Sequence, residues 1–236
     1  MNRNDPNVAM LELVAEFLGE ALREQLVFVG GAIAGVLITD PAMPEIRPTQ
    51  DVDVVCSVVG RADYQQLGMQ LRKQGFQEDE RPGAPLCRWR IAEVALDVMP
   101  TDRQILGFAN RWYPLAIDTA AIHVLPSGRS IRLVTAPVFL ATKLEAFHGR
   151  GPRDLRLSHD LEDLMAVLDG RATLLEECRH SHPDLQIYLA KQFAALMATS
   201  DFLEALPCFL PPDPASQQRL PELKQALRSI VNLGSS

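Results

Sequence analysis

Asp51 and Asp53 stand one residue apart at the head of an apolar run made of Val52, Val54, Val55 and Cys56. The β-branched residues make this run a strand. Side chains alternate faces along a strand, so the two carboxylates share one face, with Cα atoms roughly 6.5–7 Å apart. Two anions held side by side next to a core repel, and a bound cation removes the penalty. Carboxylate oxygens suit Mg²⁺, which takes one or two protein carboxylates together with substrate phosphates. The pair therefore reads as a metal platform for phosphate chemistry. The alternative is a strand start with two solvated acids beside a turn.

A third acid strengthens the first reading. Val94–Met99 reads as a strand joined to Arg88–Ile91 by a tight connection at Ala92 and Glu93, and Asp97 lies in its middle. A buried mid-strand acid needs a partner. That partner is either the same cation or an arginine of the neighbouring strand, Arg88 or Arg90. Upstream, Leu26–Val29 reads as a buried strand running into Gly30 and Gly31, with a helix over 32–37. Such a strand–glycine–helix junction lets a backbone approach phosphate, although close strand–helix packing explains a glycine pair equally well. It is not a Walker loop, because no Gly-Lys-Ser/Thr follows. The proline-containing loop 39–50 carries Arg47 and Thr49 toward the acid pair.

The elements that must position these residues follow from periodicity. Residues 7–24 read as an amphipathic helix and 61–74 as another, with Tyr64, Leu67 and Leu71 inward. Residues 102–118 are mixed, with a short helix over 106–112. A hairpin over 120–125 and 130–134 turns at Ser127 and Gly128. Pro137 opens a helix that carries Lys143, whose bland reading is a snorkelling surface lysine. A basic loop with Arg150, Arg153 and Arg156 leads to Ser158, which caps a helix ending at Gly170 and carrying Asp160 and Asp163. The remainder reads as helices over 173–180, 184–199, 200–206 and 216–232. His180 and His182 fit no zinc spacing and belong to a helix end.

With 236 residues, 47% of them hydrophobic, the chain can bury a sizeable core. The net charge of −7 argues against nonspecific coating of nucleic acid, but not against a local basic contact. Four cysteines without a Cys-x-x-Cys pair, no signal-like start and no membrane-length apolar run point to a reduced, cytoplasmic setting and no membrane partner.

Taken together, strand–Gly30–Gly31–helix, Asp51-x-Asp53 and a later Asp97 resemble the nucleotidyltransferase superfamily related to DNA polymerase beta. Residues 47–51 (Arg-Pro-Thr-Gln-Asp), 136–143 (Ala-Pro-Val-Phe-Leu-Ala-Thr-Lys) and 158–164 (Ser-His-Asp-Leu-Glu-Asp-Leu) are similar to its AbiEii-like branch, which includes MenT-type toxins of bacterial toxin–antitoxin systems. The resemblance spans roughly residues 26–168. It implies an α+β fold, a mixed sheet flanked by helices, with a catalytic domain over 1–135 and an all-helical part over 136–236. It implies two Mg²⁺ or Mn²⁺ ions on Asp51, Asp53 and Asp97, and NTP contacts from Gly30, Gly31, Arg47, Thr49 and Lys143. Lys143, with Asp160 or Asp163, would lie in the active site, and Arg150 and Arg153 would meet the acceptor. The acceptor would be an RNA, such as a tRNA 3′ end, and a cognate antitoxin would be the protein partner. A small-molecule or protein acceptor, or a binding module without turnover, are the rival readings. Two features depart from the pattern: Ala32 stands where a serine is frequent, and the spacing from Gly31 to Asp51 is long.

Overall fold

A computed structural model describes residues 5–44, 46–150 and 155–235. They divide into two compact units: one joins the chain up to Ile33 with Arg47–Thr135, and the other joins Ala34–Ile46 with Ala136–Ser236. Among the described residues, no helix is long and apolar enough to cross a membrane.

The first unit is built on one mixed sheet. Its strands are β1 (Leu26–Val29), β2 (Asp51–Cys56), β3 (Gln77–Glu78), β4 (Arg88–Ile91), β5 (Val94–Pro100), β6 (Ala121–Val124) and β7 (Ser130–Leu133). They lie in the order β3-β4-β5-β2-β1-β7-β6, with β2/β5 and β1/β7 parallel and the other pairs antiparallel. The interior strand β1 is buried along its whole length, as its unbroken Leu-Val-Phe-Val run requires. In β2 and β5 the buried residues Val52, Val54, Leu96 and Val98 form one face, and the acids take the other. Each fully buried Val or Leu there contributes roughly 1.5–3 kcal/mol.

Helix α1 (Pro6–Gln25) packs on this sheet through Val8, Leu11, Val14, Ala15, Leu18 and Leu22. Gly19 interrupts it at φ 67°. The break frees the Ala15 carbonyl, which accepts a hydrogen bond from Arg23 Nη1 at 2.8 Å. The first residues after β1 form a single 3₁₀ turn, Gly31–Ile33. Helix α2, in the second unit, is only Ala34–Leu37, so the helix read over 32–37 is two short turns of different type. Helix α3 (Arg61–Lys73) falls where periodicity puts it, and Tyr64 Oη donates to the Val98 carbonyl at 2.8 Å. The helix read over 106–112 is not formed. Instead α4 (Arg103–Leu106) is capped by Asp102 and closed by Gly107 at φ 85°, and α5 (Tyr113–Asp118) begins after an Asn110 side-chain turn. Glycine as a left-handed cap and Pro114 in the first turn of α5 outweigh the local apolar pattern.

The second unit is helical: α6 (Ala136–Gly149), α7 (His159–Gly170), α8 (Leu174–Arg179), α9 (Pro183–Met197), α10 (Ser200–Ala205), α11 (Pro214–Gln217) and α12 (Leu220–Val231). Its core joins α6, α7, α9 and α12 through residues such as Phe139, Leu164, Phe193 and Leu227. Ser158 caps α7, its Oγ accepting from Leu161 N at 3.3 Å. Gly170 ends that helix and leaves room for residues 38–43, since a Cβ there would meet Ile38 Cγ2 at 2.8 Å. Its carbonyl accepts from Thr39 N and Asp40 N. His180 and His182 cap the adjoining ends of α8 and α9.

Candidate active site

The acid face of β2 and β5 is set by register. Asp53 pairs with Asp97 and Asp51 with Ala95 across the parallel strands, so all three carboxylates lie on one face. Arg88 pairs with Asp97 across β4/β5 and therefore joins the same face. Its Nε and Nη2 donate to the two oxygens of Asp97 at 2.7 and 2.8 Å, and Nη2 also reaches Asp51 Oδ2. One planar guanidinium thus clamps two of the three acids. The hydrogen bond to Asp97, with the added charge of Asp51, pushes the Arg88 pKa up from its ordinary value. The metal and the arginine were rival partners for Asp97 in the sequence; the arginine is in place here, on a face that also holds all three acids.

Gly30 explains how Asp53 fits. It has φ +76°, and a Cβ on it would fall 1.9 Å from Asp53 Oδ2 and 2.7 Å from Asp53 Cβ. Only a residue without a side chain lets β1 pass beside that carboxylate. Gly31 is buried in the 3₁₀ turn that follows. The Gly30 requirement comes from the acid next to it, whatever else the junction holds.

The segment entering β2 is fastened to α1. Asn7, buried in the first turn, donates from Nδ2 to the Arg47 carbonyl at 3.1 Å and accepts from Thr49 N at 2.8 Å. Thr49 Oγ1 lies 3.1 Å from the Asp51 carbonyl. Thr49 thus anchors the strand start. Asn7 escaped the sequence reading, because a lone Asn in the first turn of an amphipathic helix carries no signal of a partner forty residues on.

In the second unit a separate ion cluster forms. Lys143 is 8% exposed, and its Nζ donates to Asp163 Oδ2 at 2.6 Å and to Asp160 Oδ1 at 3.5 Å. Arg150 Nη1 donates to Asp160 Oδ2 at 2.6 Å. Lys143 is therefore not a snorkelling surface residue: its ammonium lies 5.8 Å from the Phe139 ring centroid, inside the helix core. Helix spacing brings this about, because Asp160 and Asp163 are three apart and share a face of α7. Arg156 is exposed in the 3₁₀ turn Leu155–Leu157, while Arg153 lies outside the described residues.

The first cluster gathers three carboxylates and one guanidinium on a single sheet face. Three carboxylates on adjacent strands form a hard-oxygen donor set, and a guanidinium already sits on two of them. Among the described residues, no group of three or more His, Cys, Asp or Glu side chains is placed so that it could hold a metal ion.

No family model matches the chain, and no curated protein matches it. Among solved structures it is similar to an H. pylori protein described as a "putative nucleotidyltransferase", at 13% identity and a TM-score of 0.45, over 100% of this chain and 95% of that one.

Proposed function

We propose that the acid face of the first unit is the centre of a metal-dependent nucleotidyltransferase, which moves a nucleotide from an NTP to an acceptor hydroxyl and releases pyrophosphate. The observation that carries this reading is the matched register of Asp53 and Asp97 on adjacent parallel strands, with Asp51 on the same face. Such a donor set suits Mg²⁺ or Mn²⁺. Asp51, Asp53 and Asp97 would hold the metal, which when bound would polarise the transferred phosphoryl group and make the acceptor hydroxyl easier to ionise.

The chain's own residues supply position and proton transfer. The acceptor oxygen forms a bond to the α-phosphorus as the bond to the pyrophosphate oxygen breaks, and Asp97 takes the acceptor's proton. Gly30 fixes Asp53 beside the end of β1, and Asn7 with Thr49 fixes the start of β2. Holding the carboxylates still in this way converts charge into rate, since no reorganisation is needed at the moment of reaction. Lys143 we assign as the structural cation of the second unit, because a triphosphate would have to draw its ammonium away from two buried carboxylates.

The acceptor we propose is an RNA end, with tRNA 3′ ends first in line and a toxin role in a toxin–antitoxin pair as the biological setting. The support is the similarity of residues 47–51, 136–143 and 158–164 to the AbiEii-like branch. The test is incubation with each labelled NTP, Mg²⁺ and total RNA. Label on a tRNA-sized band is expected. Label on protein or on small molecules would move the acceptor to those classes, and no consumption of any NTP would leave a binding module without turnover.

A further inference from the structure

We infer that Arg88 is a built-in counter-cation of the acid face, which a divalent ion must displace from Asp51 and Asp97 before it can bind. The inference rests on the metal-site reading above and goes beyond it to how loading is controlled.

The geometry sets up the competition. Arg88 spends both Nε and Nη2 on Asp97 and a further contact of Nη2 on Asp51. A metal held by these acids would need oxygens that now accept from the guanidinium. A carboxylate oxygen can accept more than one bond, but a guanidinium and a divalent ion on the same oxygens repel each other at close range. Both Arg88 and Asp51 keep part of their side chains in solvent, at 21% and 30% exposure, so the arginine has somewhere to go. Asp97, at 11%, is the more enclosed partner and sits directly opposite Arg88 across β4/β5. Release from Asp51 is therefore the easier step, and a retained bond to one Asp97 oxygen would leave the other for the ion.

Two consequences follow. Without metal, the arginine keeps three close acids from repelling one another, so the fold does not depend on metal for its integrity. With metal, part of the binding energy goes into breaking the clamp, so the wild-type affinity is lower than the three acids alone would give. The arginine thus sets a threshold concentration of free divalent ion below which the acid face stays closed.

The experiment is calorimetric titration of the intact protein with Mn²⁺, comparing wild type, Arg88→Gln, Arg88→Lys and Arg61→Gln. Arg88→Gln should bind Mn²⁺ at least about tenfold more tightly than wild type, which is about 1.4 kcal/mol. Arg88→Lys keeps the charge but loses the fork that spans two carboxylates, so its affinity should fall between the two. Arg61 lies on α3 and its Nη2 contacts only the Gln104 carbonyl, at 3.5 Å, among the bonds described. Arg61→Gln makes the same change in net charge and should shift affinity by less than about twofold, because an exposed charge bonded outside the acid cluster is screened. Equal or weaker binding by Arg88→Gln overturns the inference and leaves the metal site standing, with Arg88 as a residue that merely positions the acids. No binding by wild type or any variant overturns the metal site and the inference together. A measurement on wild type alone guards against a misfolded variant: the Arg88 Nε–H signal in ¹⁵N NMR should move and exchange faster at saturating Mg²⁺. An unchanged signal in a protein shown to bind Mg²⁺ overturns the displacement.

Discussion

Replacing Lys143 with methionine removes the cation from the core of the second unit while roughly keeping the volume of its stem. Asp163 has a side chain with 0% exposure and holds Nζ at 2.6 Å, so it bears most of the loss. Asp160 is almost as buried but keeps Arg150 at 2.6 Å. Arg150 is half exposed, so that second pair is worth no more than about 1 kcal/mol and cannot stand in for the first. Removing one partner of a buried pair typically costs about 3–5 kcal/mol, which is a large part of the ~5–15 kcal/mol by which a domain is stable. Asp163→Asn should cost less, about 1–3 kcal/mol, since Lys143 still has Asp160 at 3.5 Å. The double variant should be milder than the sum of the singles by about 2 kcal/mol or more, because the second change removes the stranded charge. Urea unfolding followed by circular dichroism at pH 7 reads all three values. A Lys143→Met protein within about 0.5 kcal/mol of wild type, the range of an ordinary surface substitution, would refute the buried-pair account and return Lys143 to a functional role.

Other perturbations test the remaining parts. Gly30→Ala places a methyl against Asp53 in a left-handed backbone, and strain plus overpacking should cost about 2–4 kcal/mol; a variant as stable as wild type in the same urea titration would show that the strand end relaxes freely. Asn7→Ala removes three bonds to the 47–49 segment and should cost about 1–3 kcal/mol while raising amide hydrogen exchange at Thr49, and unchanged exchange at Thr49 would count against the anchor. Burial pushes the thiols of Cys56, Cys87 and Cys178 up to about 12. Unfolded thiols ionise lower, so this contribution is fully present below about pH 8.5 and is lost as pH rises toward 12. At pH 8 a disulfide reagent should label the exposed Cys208 quickly in native protein and all four cysteines only after unfolding; rapid labelling of a second thiol in the native state would contradict the burial.

The acid face was legible because strand parity is a local property: Asp51 and Asp53 must share a face once residues 51–56 are a strand. Asp97 was expected as its third member and Arg88 or Arg90 as a partner, but the register that joins them was not legible, since the offset between β2, β5 and β4 is set by pairing across the sheet and not by any one segment. That is why the metal and the arginine stood as alternatives in the sequence, and the arginine proved to lie on the acids' face. Gly30 was visible as a special residue, but its reason, the Asp53 carboxylate beside it, is a long-range contact. Lys143, Asp160 and Asp163 were visible as a group only through family resemblance; periodicity alone left the lysine on the surface. The same limit hid the packing of residues 34–46 with the C-terminal helices, because a proline-rich composition marks a loop without saying what it lies against.

The central claim is that Asp51, Asp53 and Asp97 form a metal-dependent nucleotidyl-transfer centre, and pyrophosphate release tests it most directly. Wild type and Asp53→Asn are compared with the four NTPs, total RNA and Mg²⁺, with and without chelator, after melting curves show that both are folded. The account predicts pyrophosphate release by wild type, none with chelator, and a loss of roughly 100-fold or more in Asp53→Asn, since the charge stabilisation removed is worth several kcal/mol. Release by a folded Asp53→Asn protein at the wild-type rate, or undiminished release by wild type in chelator, would contradict it.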